Sequence, residues 1–286
     1  MRDGGFRPTI STVDPSPAIP PDTVLAAFGV AEEPVALPGG KGGTWRVGGL
    51  VVKPVEHLAE TLWRAEVLAN LPDSARFRIA RPIRTIDGAW TIQGWEACHL
   101  VAGEPNPHRP DDALRAGISF HEALVDLSRP DFLDSRHDPW SIGDRIAWEE
   151  LPVDACPSAL ELLRPLVEAR RPVAYRAQVV HGDLLGNVLF ADGLPPAIID
   201  WPPYWRPASW AAAVVVADAL CWFGAAPTLA ARWSHLPDWG QMLLRALIFR
   251  IATDEAAIGP TGWTPHRIAA YRPVVDLAVA HSDCYR

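Results

Sequence analysis

Lysine is nearly missing from this chain. Only two of its 26 basic residues are lysines, Lys41 and Lys53, and the other 24 are arginines. A sequence that uses arginine almost everywhere has kept two compact ammonium groups at nearby positions, where a planar fork serves less well. Paired cysteine motifs are also missing. Cys98, Cys156, Cys221 and Cys284 lie far apart with no C-x-x-C pair, so they read as reduced thiols and not as a disulfide frame or zinc site. Net charge is −8 and the pI is near 5.6, which leaves no electrostatic footprint for a nucleic-acid partner. The amino-terminal MRDGGFRPTI lacks an apolar core and cleavage site, and the expectation is a cytoplasmic chain without a signal peptide. Asp218, Gly224 and Pro227 interrupt the one membrane-like run, Trp210 to Ala231, so a buried helix is expected there and no membrane partner. There is no internal repeat.

What is present is an ordinary globular composition. The chain has 286 residues, 49% hydrophobic and 21% charged, enough for one large domain or two modest ones with ample core. The stretch from Val179 to Tyr204 carries the densest chemistry. Val179-Val180, Val188-Leu189-Phe190 and Ala197-Ile198-Ile199 are short apolar runs bounded by turn residues, as short buried strands are. Asp192-Gly193 predicts a hairpin-like connection between the last two runs. At the ends of these runs stand Asp183, Asn187 and Asp200. Two carboxylates and an amide, all hard oxygen donors, suit Mg²⁺ with a phosphorylated ligand better than zinc or copper.

His181-Gly182-Asp183, then Asn187, then strand, turn and Ile199-Asp200-Trp201, resemble the catalytic and metal-binding loops of the aminoglycoside phosphotransferase family, within the protein-kinase-like superfamily. The resemblance implies an α+β, bilobal fold, with a small antiparallel-sheet N-lobe and a mainly helical C-lobe. It implies ATP and Mg²⁺ as cofactors and a small-molecule hydroxyl as acceptor. Asp183 would accept the hydroxyl proton, while Asn187 and Asp200 would hold Mg²⁺ on the ATP phosphates. Two departures stand out. Only Leu184-Leu185-Gly186 separate Asp183 from Asn187, one residue fewer than the family usually has, and Trp201-Pro202-Pro203 supplies no glycine after Asp200.

Residues 1–20 are rich in Pro, Ser, Thr and Gly and predict a mobile arm. Residues 21–103 are expected to form the N-lobe: a short helix through Phe28, then strands over Pro34–Leu37, Thr44–Val47 and Leu50–Pro54. Gly39-Gly40-Lys41-Gly42-Gly43 is neither a Walker loop nor a dinucleotide fingerprint, since no helix follows it. It resembles the glycine lid over ATP phosphates, with Gly40, Lys41 and Gly42 lining it. By resemblance, Lys53 would contact the α/β-phosphates and pair with a glutamate on the helix over His57–Leu71. On the helical wheel Glu66 falls near Leu62, taken as the buried side, with Glu60 opposite, so Glu66 is the expected partner. Arg81–Ile86 and Ala89–Ile92, about Asp87-Gly88, read as a hairpin. By resemblance, backbone groups near His99 and Val101 would meet adenine.

Residues 104–286 are expected to form the C-lobe. Asp111 is read as the N-cap of a helix through Leu127, on whose apolar face His121 packs. Further helices are expected over Trp140–Glu150, Ser158–Glu168, Ala226–Trp233, Trp239–Thr253 and Pro265–His281. The family resembled usually has an acid soon after the position of Asp200 that braces the catalytic loop; here Pro207-Ala208-Ser209-Trp210-Ala211 offers none, and Asp218 could substitute, since a carboxylate in an apolar helix needs a partner. The function read is an ATP- and Mg²⁺-dependent small-molecule phosphotransferase. The alternative is a nucleotide-binding pseudokinase with a regulatory or scaffold role, motivated by the short Asp183–Asn187 loop. The identity of the acceptor is not encoded in these residues.

Overall fold

The computed structural model describes residues 18–38 and 42–283. Gly40 and Lys41, and all but the last three residues of the expected arm, lie outside the described residues. In chain order the elements are α1 (Asp22–Ala27), β1 (Val35–Ala36), β2 (Trp45–Val47), β3 (Leu50–Pro54), α2 (Leu58–Asn70), β4 (Arg78–Ile79), β5 (Pro82–Ile83), β6 (Thr91–Ile92), β7 (Trp95–His99) and β8 (Glu104–Pro105). There follow α3 (Pro110–Ala123), α4 (Pro139–Ala147), α5 (Pro157–Ala169), β9 (Gln178–His181), β10 (Val188–Phe190), β11 (Ala197–Ile198) and β12 (Pro203–Arg206). Four helices close the chain: α6 (Ala208–Trp222), α7 (Thr228–Arg232), α8 (Trp239–Ile258) and α9 (Pro265–Asp283). The chain divides into two units. Among the described residues, one comprises 18–104 with 189–199, and the other 105–188 with 200–283.

The first unit is built on an antiparallel sheet in the order β1-β2-β3-β7-β5, with β6 also paired to β7. Leu50 and Val52 on β3, and Trp95 and Ala97 on β7, are buried against Val24, Leu25 and Phe28 of α1 and its end. The period-two alternation of a strand therefore turns Lys53 and Glu96 to the opposite face. The expected hairpin about Asp87-Gly88 is not the observed pairing. β5 and β6 lie end to end along one edge of β7 and do not pair with each other. The hairpin is β6–β7: Ile92 opposes Trp95, and Gln93 and Gly94 between them both have positive φ, at 50° and 78°. That is the backbone of a two-residue turn matched to strand twist. The connection expected at Asp192-Gly193 does form, with β10 beside β11 in the order β4-β11-β10-β8.

The second unit is helical. α8 is buried from Met242 to Asp254 and packs against α4, α5, α6 and α9. A helix apolar on every side belongs in the middle of its bundle. α6 is buried from Ser209 to Ala219, and its alanines and valines let neighbouring backbones approach closely. Trp201, Trp210, Trp233, Trp239 and Trp263 are buried, so most of the carboxy-terminal tryptophans are packing residues. Asp111 is not a cap. α3 begins at Pro110, and the Asp111 carboxylate accepts from Arg232 and from Trp233 Nε1. Among the described residues no helix is long and apolar enough to cross a membrane.

Candidate active site

Strands β9 and β12 pair antiparallel, with Pro203 opposite His181 and Arg206 opposite Gln178. This register sends the two loops that carry Asp183 and Asp200 off the same end of one ladder. Gly182 donates its amide to Pro202 O at 3.3 Å. A Cβ on Gly182 would stand 2.4 Å from the Tyr204 ring, so the glycine of His-Gly-Asp is set by close packing. Asp200 has φ +48°. A non-glycine residue held in the left-handed region is strained backbone of the kind found at functional sites.

The short loop after Asp183 closes on itself. Asn187 donates its amide to Leu184 O at 2.9 Å, and Gly186 between them takes φ +96°, as the third residue of a type II turn must. Asn187 Nδ2 then reaches back to Asp183 O at 2.6 Å and stands 3.4 Å from Asp183 Oδ2. The structure thus brings Asp183 and Asn187 together despite the missing residue. With Nδ2 turned to Asp183, Asn187 keeps Oδ1 as its side-chain acceptor.

Two buried histidines hold the loop's backbone. His181 donates its amide to His121 Nε2 at 3.0 Å, and Asp183 donates its amide to His181 Nδ1 at 3.1 Å. Each ring accepts at one nitrogen, which fixes both as neutral tautomers. Burial, with the neighbouring His181, pushes the His121 pKa down to about 3. His121, expected as a packing residue, is an acceptor in the scaffold of the loop that carries Asp183.

The Asp183 carboxylate is held from α8. Arg250 Nη2 donates to Asp183 Oδ1 at 2.5 Å. The same guanidinium donates through Nε to Asp218 Oδ1 at 2.9 Å and through Nη2 to Asp218 Oδ2. Arg250 is 1% exposed, Asp218 3% and Asp183 31% by side chain. Burial works against the Arg250 charge, but Asp218 and Asp183 outweigh it and raise its pKa further. Asp218 therefore braces the loop that carries Asp183, through Arg250. Arg250 itself escaped the sequence reading, although an arginine inside Leu-Ile-Phe-Arg-Ile-Ala needs a buried partner as much as Asp218 does.

In the first unit Lys53 and Glu96 face each other across β3 and β7, with Nζ 3.9 Å from Oε1. Arg64 of α2 donates to the same oxygen at 2.6 Å and lies 3.6 Å from Glu60. The expected partner Glu66 is a correction. Its side chain is 58% exposed and is held by Arg84, Trp90 and Asn70. Leu62 is 39% exposed, and the buried face of α2 carries Glu60, Thr61 and Ala65 instead. Glu66, one turn from Leu62, follows it into solvent. Gly42 and Gly43 have φ of +84° and +79°, backbone that glycine adopts without strain. At the segment expected to meet adenine, His99 donates its amide to Arg81 O and Leu100 to Gly49 O. The amide of His99 is thereby committed to its own unit, which removes it as a ligand donor. His99 and Val101 also line a recess of about 350 Å³ with Arg78 and Arg81. Those guanidinium groups are occupied by Pro195 O, Ala102 O, Leu71 O and Asp73.

Asp254 and Glu255 at the end of α8 are engaged within the helical unit. Asp254 is 2% exposed and accepts from Arg267 and Tyr271, and Glu255 accepts from Cys156 and Trp263. For a metal, Asn187 and Asp200 offer oxygen atoms only. No group of three or more His, Cys, Asp or Glu among the described residues forms a closed cage. One carboxylate and one amide fit an ion that keeps its waters and arrives with phosphates, as Mg²⁺ does.

No family model matches this sequence, and no curated protein matches it. Solved structures do match. An aminoglycoside phosphotransferase from Alicyclobacillus acidocaldarius is 16% identical, with 96% of this chain and 97% of that one covered and a TM-score of 0.52. A choline/ethanolamine kinase family protein from Mesorhizobium loti is 16% identical over 92% and 97%, TM-score 0.54. A choline kinase from Streptococcus pneumoniae is 12% identical over 91% and 97%, TM-score 0.55, and the same kinase was solved with AMP. At such identities the likeness speaks for architecture. The chain is an α+β protein with the protein-kinase-like fold that aminoglycoside phosphotransferases and choline/ethanolamine kinases share.

Proposed function

We propose that this chain is an ATP- and Mg²⁺-dependent phosphotransferase that moves the γ-phosphoryl group of ATP to a hydroxyl of a small molecule. The observation that carries the reading is the Asp183–Asn187 loop. Asn187 is drawn back onto Asp183 by the turn at Gly186, so a base and a metal ligand share one rigid segment although the loop is one residue short. Asp183 receives the hydroxyl proton as the hydroxyl oxygen bonds to the γ-phosphorus and the bond to the β–γ bridging oxygen breaks, its electron pair leaving with ADP. Asn187 Oδ1 and the Asp200 carboxylate hold Mg²⁺, which when bound neutralises phosphate charge. Lys53 serves the α/β-phosphates as a compact cation oriented by Glu96. Gly42, with Gly40 and Lys41, covers the phosphates, and Val101 offers backbone to adenine. The acceptor is an alcohol of the aminoglycoside or amino-alcohol kind on which the solved relatives act.

The test is transfer from γ-labelled ATP to kanamycin, choline and ethanolamine, for wild type and Asp183→Ala. A labelled product that Asp183→Ala does not form supports the reading. ATP binding without transfer to any alcohol, or to water, contradicts it and favours the pseudokinase alternative.

A further inference from the structure

We infer that Arg250 is a positioning residue for phosphoryl transfer: it selects the orientation of the Asp183 carboxylate by holding Oδ1, so that the acceptor's proton is directed to Oδ2. The inference rests on Asp183 being the base.

A buried guanidinium needs a counter-charge, and Asp218 alone provides one. It takes both Nε and Nη2 from a position as buried as Arg250 itself. This fork-to-fork pair is the strong and geometrically specific form of a charge-assisted hydrogen bond. Burial of Arg250 therefore does not call for a second carboxylate. Asp183 nevertheless takes Nη2 as well, at 2.5 Å. Nη1, meanwhile, is buried with no hydrogen-bond partner among the described residues. Leaving such a donor unsatisfied is costly. The guanidinium is thus turned to share one nitrogen between two carboxylates while another goes unused, an orientation that serves Asp183 better than it serves Arg250.

The backbone of the loop is fixed separately, through His121 and His181. Arg250 consequently holds Oδ1 of Asp183 at 2.5 Å, with Asn187 Nδ2 standing farther off, 3.4 Å from Oδ2, and does not set the path of the loop. It stands on α8, in the same unit as Asp183. Its removal alters which way the carboxylate points and leaves Lys53, on the other unit, as it was. Misplacement of a reacting group by about 1 Å costs on the order of 100-fold in rate.

The experiment compares wild type, Arg250→Ala and Arg250→Lys for transfer from γ-labelled ATP to kanamycin, choline, ethanolamine and water, with ATP affinity by calorimetry and folding by circular dichroism. Arg250→Ala is expected to lose about 100-fold in kcat, with KM and Kd for ATP within about two-fold of wild type. Guanidinium chloride below its unfolding concentration should restore part of the rate, and ammonium chloride should not. Arg250→Lys keeps the charge without the fork and should lose rate in the same way; it decides the matter where Arg250→Ala does not fold. A folded variant with wild-type kcat, or one in which kcat and ATP affinity fall together, overturns the inference while leaving Asp183 as the base. Absence of transfer by wild type to any of the alcohols or to water removes the assignment of Asp183, and this inference with it.

Discussion

The two charged groups assigned to the chemistry are held in opposite ways. Asp183 is tied to a guanidinium that solvent does not reach, on a loop whose backbone hangs from two buried histidines. Lys53 stands on a strand, 24% exposed, beside a glutamate it shares with Arg64 of α2. Charges removed from water interact strongly and are expensive to separate, whereas partly exposed pairs contribute little to stability. The helical unit thus ties Asp183, itself 31% exposed, to its core through Arg250. The sheet unit holds Lys53 by a longer, partly exposed pair.

The largest expected effect comes from the buried side. Asp218→Ala strands Arg250 with Asp183 as its one counter-charge, and unfolding in urea should show a loss of about 3–5 kcal/mol. Equal stability would mean that the guanidinium is not buried as described. Asp183→Asn should reduce transfer by roughly 10²–10⁴-fold with the fold intact, since Asn retains an acceptor for Arg250. Gly182→Ala drives a methyl group into the Tyr204 ring and should cost about 1–3 kcal/mol, read by thermal denaturation.

His121 gives the comparison a pH axis. Its pKa in the folded chain, about 3, lies below the usual value near 6.5. As pH falls below about 6.5 the unfolded chain takes up a proton that the folded chain refuses. The stability contributed by neutral His121 is therefore present above that pH and is lost on acidification, by at most about 1.4 kcal/mol per pH unit, until pH nears 3. Urea unfolding at a series of pH values should show a shallower dependence in His121→Gln.

The smallest effect belongs to the sheet. Glu96→Gln frees Lys53 and Arg64 from their shared carboxylate and should weaken ATP binding by no more than about 1 kcal/mol, roughly five-fold in Kd. Glu66→Gln should leave ATP affinity unchanged. If calorimetry finds the reverse order, the helix glutamate and not the strand glutamate orients Lys53.

What the sequence disclosed follows the same division. The catalytic hairpin was legible because short apolar runs and turn residues sit within one contiguous stretch, and local rules suffice there. The second unit's helical character was legible, α3 from its periodicity, although α8 runs past its expected end at Thr253 to Ile258 and the apolar run from Trp210 divides into α6 and α7. Arg250 was not, because its partners lie 32 and 67 positions away, and periodicity reports a face without naming what meets it. The pairing of Lys53 failed for a different reason. α2 carries leucines on its exposed side and a glutamate on its buried side, so the apolar wheel points the wrong way. β6 was matched to the wrong neighbour because Asp87-Gly88 is the stronger turn signal, yet Gln93-Gly94 adopts the hairpin backbone. The chain's return at 189–199 to the sheet-containing unit has no counterpart in a linear division at residue 103.

The central proposal is that Asn187 and Asp200 hold magnesium on ATP and that Lys53 binds phosphate. Calorimetric titration of ATP with and without Mg²⁺, on wild type, Lys53→Ala and Asp200→Ala, tests it most directly. Wild type should bind more tightly with Mg²⁺, Asp200→Ala should lose that difference, and Lys53→Ala should bind more weakly in both conditions. Identical titrations for all three proteins would contradict the account.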